Sequence, residues 1–155
     1  MPNVCNNKVT IIGHVEDLDL FEEEKLSFLK FVPRPAEEEH NWYEWNNAHW
    51  GTKWEAWDYE LILRDENILV AEFRTAWGAP IEFLKRLLMS YHRCWIKCEF
   101  NTEDYMAGIW IGHMKAGACV EKRFMWDEPP PFLTTDGQIY IPEEDEDEDE
   151  DENED

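Results

Sequence analysis

The sequence predicts an α+β domain: an antiparallel sheet with helices packed on one of its faces. Three observations lead there. Apolar residues recur with the two-residue period of strands in some segments and the three-to-four-residue period of helices in others. The segments follow one another as β-α-β-β-α-β, with one or two strands appended, the order of a split βαβ unit. The chain has 155 residues, ample for one core, and 14% of them are aromatic.

The elements can be justified in turn. Lys8-Val9-Thr10-Ile11-Ile12-Gly13 is rich in β-branched residues and reads as the first strand. Glu16 to Lys30 reads as one helix with Asp17 as its N-cap; Leu18, Phe21, Phe28 and Leu29 fall near one face, and Glu22, Glu23 and Glu24 near the other. Pro33 and Pro35 end it. Asn41 to Trp50 reads as a short helix, with Asn41 and Glu44 in capping-box spacing and Gly51 where a left-handed residue closes a helix. Trp57, Tyr59, Leu61 and Leu63 alternate on a second strand. Leu69, Ala71 and Phe73 alternate on a third, across a turn at Asp65-Glu66-Asn67.

Pro80 suits the first position of a second long helix, whose apolar residues Ile81, Leu84, Leu88 and Tyr91 lie three and four apart. In the fourth strand Cys94, Ile96, Cys98 and Phe100 point one way, and Arg93, Trp95, Lys97 and Glu99 the other. Met106 to Met114 makes a fifth strand and Gly117 to Arg123 a sixth. The expected architecture is therefore ferredoxin-like, occupying residues 1–126.

Charge divides the remainder. The chain holds 36 acidic and 14 basic residues, a net −22. Twelve of the acidic residues stand between Glu143 and Asp155, so positions 1–142 carry 24 against 14, a net −10. Residues 143–155 have no apolar side chain to offset ordering and are expected to be a disordered acidic tail. Between domain and tail, residues 127–142 combine Pro129-Pro130-Pro131 with an Asp136-Gly137 turn before Gln138-Ile139-Tyr140-Ile141. They read as a Pro-rich strap or an edge strand.

Three stretches resemble the YubB-like family of ferredoxin-like proteins, found on plasmids, in bacteriophages and in other viruses. They are Cys5-Asn6-Asn7-Lys8-Val9-Thr10-Ile11-Ile12-Gly13; Trp42-Tyr43-Glu44-Trp45 followed by Trp50-Gly51-Thr52-Lys53-Trp54; and Phe73-Arg74-Thr75-Ala76-Trp77-Gly78-Ala79-Pro80. Their order and spacing also match, so the resemblance spans roughly residues 4–114. It implies a ferredoxin-like fold and a viral or mobile-element origin, and brings no activity, substrate or cofactor.

The tryptophan-rich stretch is the candidate site: Trp42, Tyr43, Trp45, Asn46, His49, Trp50, Gly51, Thr52, Lys53 and Trp54. Two readings stand. The indoles can wedge a long connection against the sheet, with Gly51 making a turn and Lys53 left in water. Alternatively, flat aromatics beside Asn, His, Thr and Lys can stack a ring and hydrogen-bond its edges, forming a partner or ligand surface.

Catalytic patterns are absent from the sequence. His14, His40, His49, His92 and His113 are scattered and form no metal-binding pair, and there is no nucleophile elbow or phosphate loop. Cys5, Cys94, Cys98 and Cys119 contain no Cys-x-x-Cys. Cys94 and Cys98 share a strand face ~13 Å apart at ~3.3 Å per residue, too far for one disulfide or a shared metal. No enzyme activity, cofactor or metal is expected.

The function expected is that of a small non-enzymatic binding protein of a virus or mobile element. Its partner is expected to be a protein, of basic character, drawn by the tail at 143–155. The alternatives are a single-stranded nucleic-acid or nucleotide binder using the Trp-rich loop, or an acidic mimic that blocks a DNA-binding protein. Trp95 and Lys97 also lie on the strand face that a base-stacking sheet would use. Duplex DNA is disfavoured by the charge. Met1-Pro2-Asn3-Val4 lacks the basic and apolar regions of a signal peptide, and no apolar run approaches a bilayer's width, so the expected location is intracellular, host cytoplasm or virion, away from membranes.

Overall fold

The computed structural model describes residues 3–103 and 107–125. The expectations for the strap at 127–142, the tail at 143–155 and the start of the fifth strand at Met106 lie outside the described residues. The elements run β1 (Val4–Ile12), α1 (Val15–Glu23), α2 (Phe28–Phe31), a 3-10 helix (Ala36–Asn41), α3 (Trp42–Trp50), β2 (Trp57–Asp65), β3 (Ile68–Ala76), α4 (Ile81–Ser90), β4 (Trp95–Thr102), β5 (Ala107–Lys115) and β6 (Ala118–Met125). This is a mixed α+β fold. The strands form one antiparallel sheet in the order β2-β3-β1-β4-β5-β6.

Strand alternation sorts the residues into two faces. Inward-facing Cys5, Val9 and Ile11 of β1, Leu69, Ala71 and Phe73 of β3, Ile96, Cys98 and Phe100 of β4 and Trp110 of β5 are buried. They form one cluster with Leu18 and Phe21 of α1, Phe28 of α2, Trp45 and Trp50 of α3, and Phe83, Leu84, Leu87 and Leu88 of α4. Trp110 lies along β5 so closely that a Cβ on Gly112 would sit 2.4 Å from its ring, which is why that position must lack a side chain. On the opposite face Ile12, Trp95 and Val120 stand exposed.

Several elements differ from the sequence expectation. The helix expected over Glu16–Lys30 is two helices, because Lys25 (φ 52°) and Leu26 (φ 51°) adopt left-handed backbone between them. The break lets Leu26 reach the core and turns Leu29 outward, where it is exposed. The N-cap position belongs to His14; Asp17 sits in the first turn and pairs with Arg93 at 3.2 Å. The start of α2 is capped from a distance: the Glu55 carboxylate accepts the N–H groups of Phe28 (2.8 Å) and Leu29 (2.9 Å) and the Ser27 hydroxyl (3.3 Å).

Asn41 occupies the N-cap position of α3 but makes no capping bond. The 3-10 helix runs straight into α3, so Asn41 lacks the extended backbone that a capping side chain requires. Pro80 stands one place before its expected position, just outside α4. In β2 the alternation fails: register shifts between Trp57 and Glu60 and between Leu61 and Leu63 leave Leu61, Ile62 and Leu63 all exposed. As the edge strand of the sheet, β2 is paired on one side only and tolerates such bulges.

β1 also begins earlier than expected, at Val4, and carries a buried polar residue inward. The Asn7 side-chain amide donates to Thr75 Oγ1 (2.9 Å), Cys5 O (3.2 Å) and Phe73 O (3.3 Å), and its oxygen accepts from the thiols of Cys5 (3.6 Å) and Cys98 (3.8 Å). Those partners outweigh the poor strand propensity of asparagine. Burial pushes the Cys5 thiol up to about 11, the Thr75 hydroxyl and Arg123 pulling weakly the other way. Burial likewise raises Cys98.

Candidate functional site

The tryptophan-rich stretch divides into a buried scaffold and an exposed row. Trp50, 1% exposed, closes α3. Its indole N–H donates to Val32 O (2.9 Å), its ring meets Phe28 and Trp45, and the Arg34 guanidinium lies 5.9 Å from its centroid. Trp45, 9% exposed, stacks on His49 at 4.2 Å, and His49 Nδ1 lies 2.9 Å from Trp45 O. Asn46 is buried with both ends satisfied: it accepts from Arg34 (2.8 Å) and donates to Lys53 O (2.8 Å).

Gly51 turns the chain at φ 79°, and its α-carbon lies so near α4 that a Cβ would come within 3.2 Å of the Glu82 nitrogen. Buried Thr52 then donates to Ala76 O at 2.7 Å, fastening the loop to the end of β3. Thus Trp45, Asn46, Trp50, Gly51 and Thr52 hold the connection in place, with the side-chain polar groups of Asn46, Trp50 and Thr52 committed internally.

The remaining members face outward. Trp42, Tyr43, Trp54 and Trp77 are all exposed, Trp54 by 38% and Trp77 by 48%. Their rings form a connected row: Trp42 to Tyr43 (5.9 Å, edge-on), Tyr43 to Trp77 (6.4 Å, edge-on), and then Trp77 and Trp54 on either side of the Lys53 ammonium, whose Nζ lies 5.0 Å and 4.5 Å from their centroids. His49 is taken into the scaffold by Trp45 and does not join the row.

Trp77 is the member that the tryptophan-rich stretch alone does not contain. It comes from the Phe73–Pro80 segment, and its backbone is the unusual feature of the site: φ is 72°, a region bulky L-residues avoid. Gly78 N–H bonds back to Ala76 O at 2.9 Å, closing a three-residue turn of the rarer, strained γ type around Trp77. Two further contacts pin the turn. Trp77 N–H donates to Asn3 O (2.7 Å), and Thr75 Oγ1, itself held by Asn7, donates to Gly78 O (2.7 Å). Three segments distant in sequence, residues 3–7, 42–54 and 73–80, therefore meet at one place.

A second aromatic pair lies on the open face of the sheet. Trp95, 53% exposed, stacks on His113 of the neighbouring strand at 3.8 Å with rings 9° from parallel. Lys97 on the same strand is engaged by Glu99 at 3.8 Å. Among the described residues no three His, Cys, Asp or Glu side chains gather in a metal-binding group, and no helix is long and apolar enough to cross a membrane.

Comparison with protein-family models, with curated proteins and with solved structures gave no significant match in any of the three.

Proposed function

We propose that this chain is a small non-enzymatic binding protein that engages a partner protein through the row Trp42, Tyr43, Trp77 and Trp54. The carrying observation is that three exposed aromatic rings meet in a chain, Lys53 links a fourth, Trp54, to them, and buried Asn46, Trp50 and Thr52 hold the loop by hydrogen bonds. Isolated exposed aromatics are ordinary on a protein surface, whereas a contiguous apolar patch on a rigid base is the usual form of an interaction site. Tryptophan and tyrosine are also the residues that dominate binding energy in such sites.

The fold reading that goes with this is ferredoxin-like, supported by the order β2-β3-β1-β4 for the first four strands and by helices on one face, with β5 and β6 as the appended strands. The viral or mobile-element origin in this proposal rests on the YubB-like resemblance alone, whose three segments also converge on the site. An intracellular partner of basic character fits the net charge of −22, twelve units of it at 143–155.

A second reading, a single-stranded nucleic-acid or nucleotide binder, is favoured by the stacked Trp95 and His113, which offer a flat surface on an open sheet. Net negative charge opposes it. Affinity purification from the native host, at low and physiological salt, tests both. Recovery of a protein by wild type, lost in a Trp54→Ala/Trp77→Gly variant that still unfolds cooperatively and is assayed well below its melting temperature, is the expected result. Should that protein itself be a DNA-binding protein, the acidic-mimic reading gains. Recovery of nucleic acid dependent on Trp95 would replace the first reading with the second, and recovery unaffected by either substitution would refute both.

A further inference from the structure

The exposed row has one charged component, and it is this chain's own. Lys53 directs its ammonium between the faces of Trp54 and Trp77, 4.5 Å and 5.0 Å from their centroids. A cation is attracted to the negative face of an aromatic ring within about 6 Å, most strongly to indole. Among the described residues Lys53 makes no ion pair within 4.0 Å, whereas Lys30, Lys85 and Lys97 each do. Its backbone is held independently, by the Asn46 amide on its carbonyl, so the side chain is free to leave without disturbing the loop.

The surroundings favour positive charge. Glu37 and Glu39 on the 3-10 helix that leads into Trp42, and Glu44 immediately after Tyr43, are exposed. Of these only Glu39 has a basic partner, Arg34 at 3.1 Å. The body of the chain is net −10 and the whole −22. Long-range attraction and local ring chemistry therefore select the same kind of group.

We propose that the pair Trp54 and Trp77, extended by Tyr43, is a receptor for a cationic side chain of a partner protein (lysine, methylated lysine or arginine), and that Lys53 holds the place in the unbound molecule. This rests on the reading of the row as a partner surface and names the chemistry that surface takes. The partner's cation displaces Lys53, whose flexible stem lets the ammonium swing into water.

The test uses the full chain and two synthetic peptides, neutral apart from one position that carries either trimethyllysine or its uncharged isostere, in which carbon replaces the ammonium nitrogen. Indole N–H resonances are followed by nuclear magnetic resonance, which registers weak binding. The expected result is that the trimethyllysine peptide shifts the Trp54 and Trp77 signals and the uncharged isostere does not. Lys53→Met, which keeps the stem and removes the competitor, should bind about two- to fivefold more tightly, the factor corresponding to one exposed cation–π contact. Binding should disappear in Trp77→Gly and fall in Trp54→Leu, a second variant that keeps apolar bulk where the ring is lost. Equal affinity for both peptides, no shift with either, or no gain in Lys53→Met overturns the cation reading. If a partner protein is meanwhile recovered in a Trp77-dependent way, that failure belongs to the cation reading alone; if recovery is also indifferent to Trp77, the partner surface falls with it.

Discussion

Replacing Trp77 by alanine and by glycine separates what the ring contributes from what the backbone stores. Both substitutions remove an indole that is 48% exposed. With about half of the ~200 Å² of a tryptophan side chain out of water, the lost burial amounts to roughly 2.5 kcal/mol at ~25 cal/mol per Å². The two variants share that loss, so their difference reports the conformation alone. At an ordinary strand or helix position glycine is less stable than alanine by roughly 0.5–1 kcal/mol. At φ 72°, in a turn closed by the Gly78 to Ala76 hydrogen bond, a Cβ is penalised by roughly 1–2 kcal/mol and glycine is not. Trp77→Gly should therefore be more stable than Trp77→Ala by about 1 kcal/mol, the reverse of the usual order. Urea unfolding followed by circular dichroism measures it, provided both variants keep the wild-type slope. An alanine variant as stable as the glycine variant, or more so, would show that the turn is not strained.

Three other outcomes are expected. Trp50→Ala should cost roughly 3–5 kcal/mol, since it opens a cavity under Phe28 and Trp45 and frees Val32 O, whereas Lys53→Ala should shift stability by no more than ~1 kcal/mol; thermal melts compare the two. Glu55→Ala should cost about 1–2 kcal/mol by leaving the N–H groups of Phe28 and Leu29 without their acceptor, while Glu23→Ala, an exposed helix acid, serves as the near-silent control in the same denaturation series. Stability should decline in alkali. Burial lifts Cys5 and Cys94 from 9.0 to about 11, so above pH 9 the unfolded chain loses protons that the native state retains, and each thiol subtracts up to ~1.4 kcal/mol per pH unit until pH 11. The contribution is intact below pH 9, and a Cys94→Ala variant should show a shallower decline in unfolding free energy between pH 9 and 11.

The order of elements was legible because it rests on periodicity, and β3, α4 and β4 carry clean patterns. Where the reading failed, a contact between distant residues had decided the conformation. Lys25 and Leu26 are not residues that announce a left-handed break; the break follows from the need to seat Leu26 and Phe28 in one core, with Glu55 supplying the cap from 27 residues away. The β-branched run alone marks a strand from Lys8, yet Asn7 is held inside β1 by Thr75 and Phe73 of the neighbouring strand. The bulges of β2 come from its place at the sheet edge, which no local pattern encodes. In the site, sequence could gather the tryptophans between 42 and 54 but could not sort them, because spacing on α3 puts Trp42, Trp45 and His49 on one face without saying where that face ends. Trp77 stood apart by 23 positions from Trp54. The available signal was the run Phe73-Arg74-Thr75-Ala76-Trp77-Gly78, in which a tryptophan precedes glycine at the close of a strand.

The strain at Trp77 bears on whether the aromatic row is incidental. A residue in the left-handed region persists only where its surroundings over-determine it, since the conformation costs roughly 1–3 kcal/mol. Here the surroundings do so from three directions: Asn3 O receives the Trp77 N–H, Thr75 Oγ1 holds Gly78 O while itself bound by Asn7, and Thr52 fastens the neighbouring carbonyl of Ala76. Each of these fixes the turn and none is made by the ring. Were the ring's role merely to cover the core, an ordinary backbone with the indole folded inward would bury more apolar surface and release the strain. The arrangement does the opposite, spending conformational energy to keep the indole half in water and facing the Lys53 ammonium. That combination is stable only because the domain beneath supplies the missing energy, and under the proposed function it orients the exposed face of Trp77 in advance, so that little ordering entropy would remain to be lost on binding.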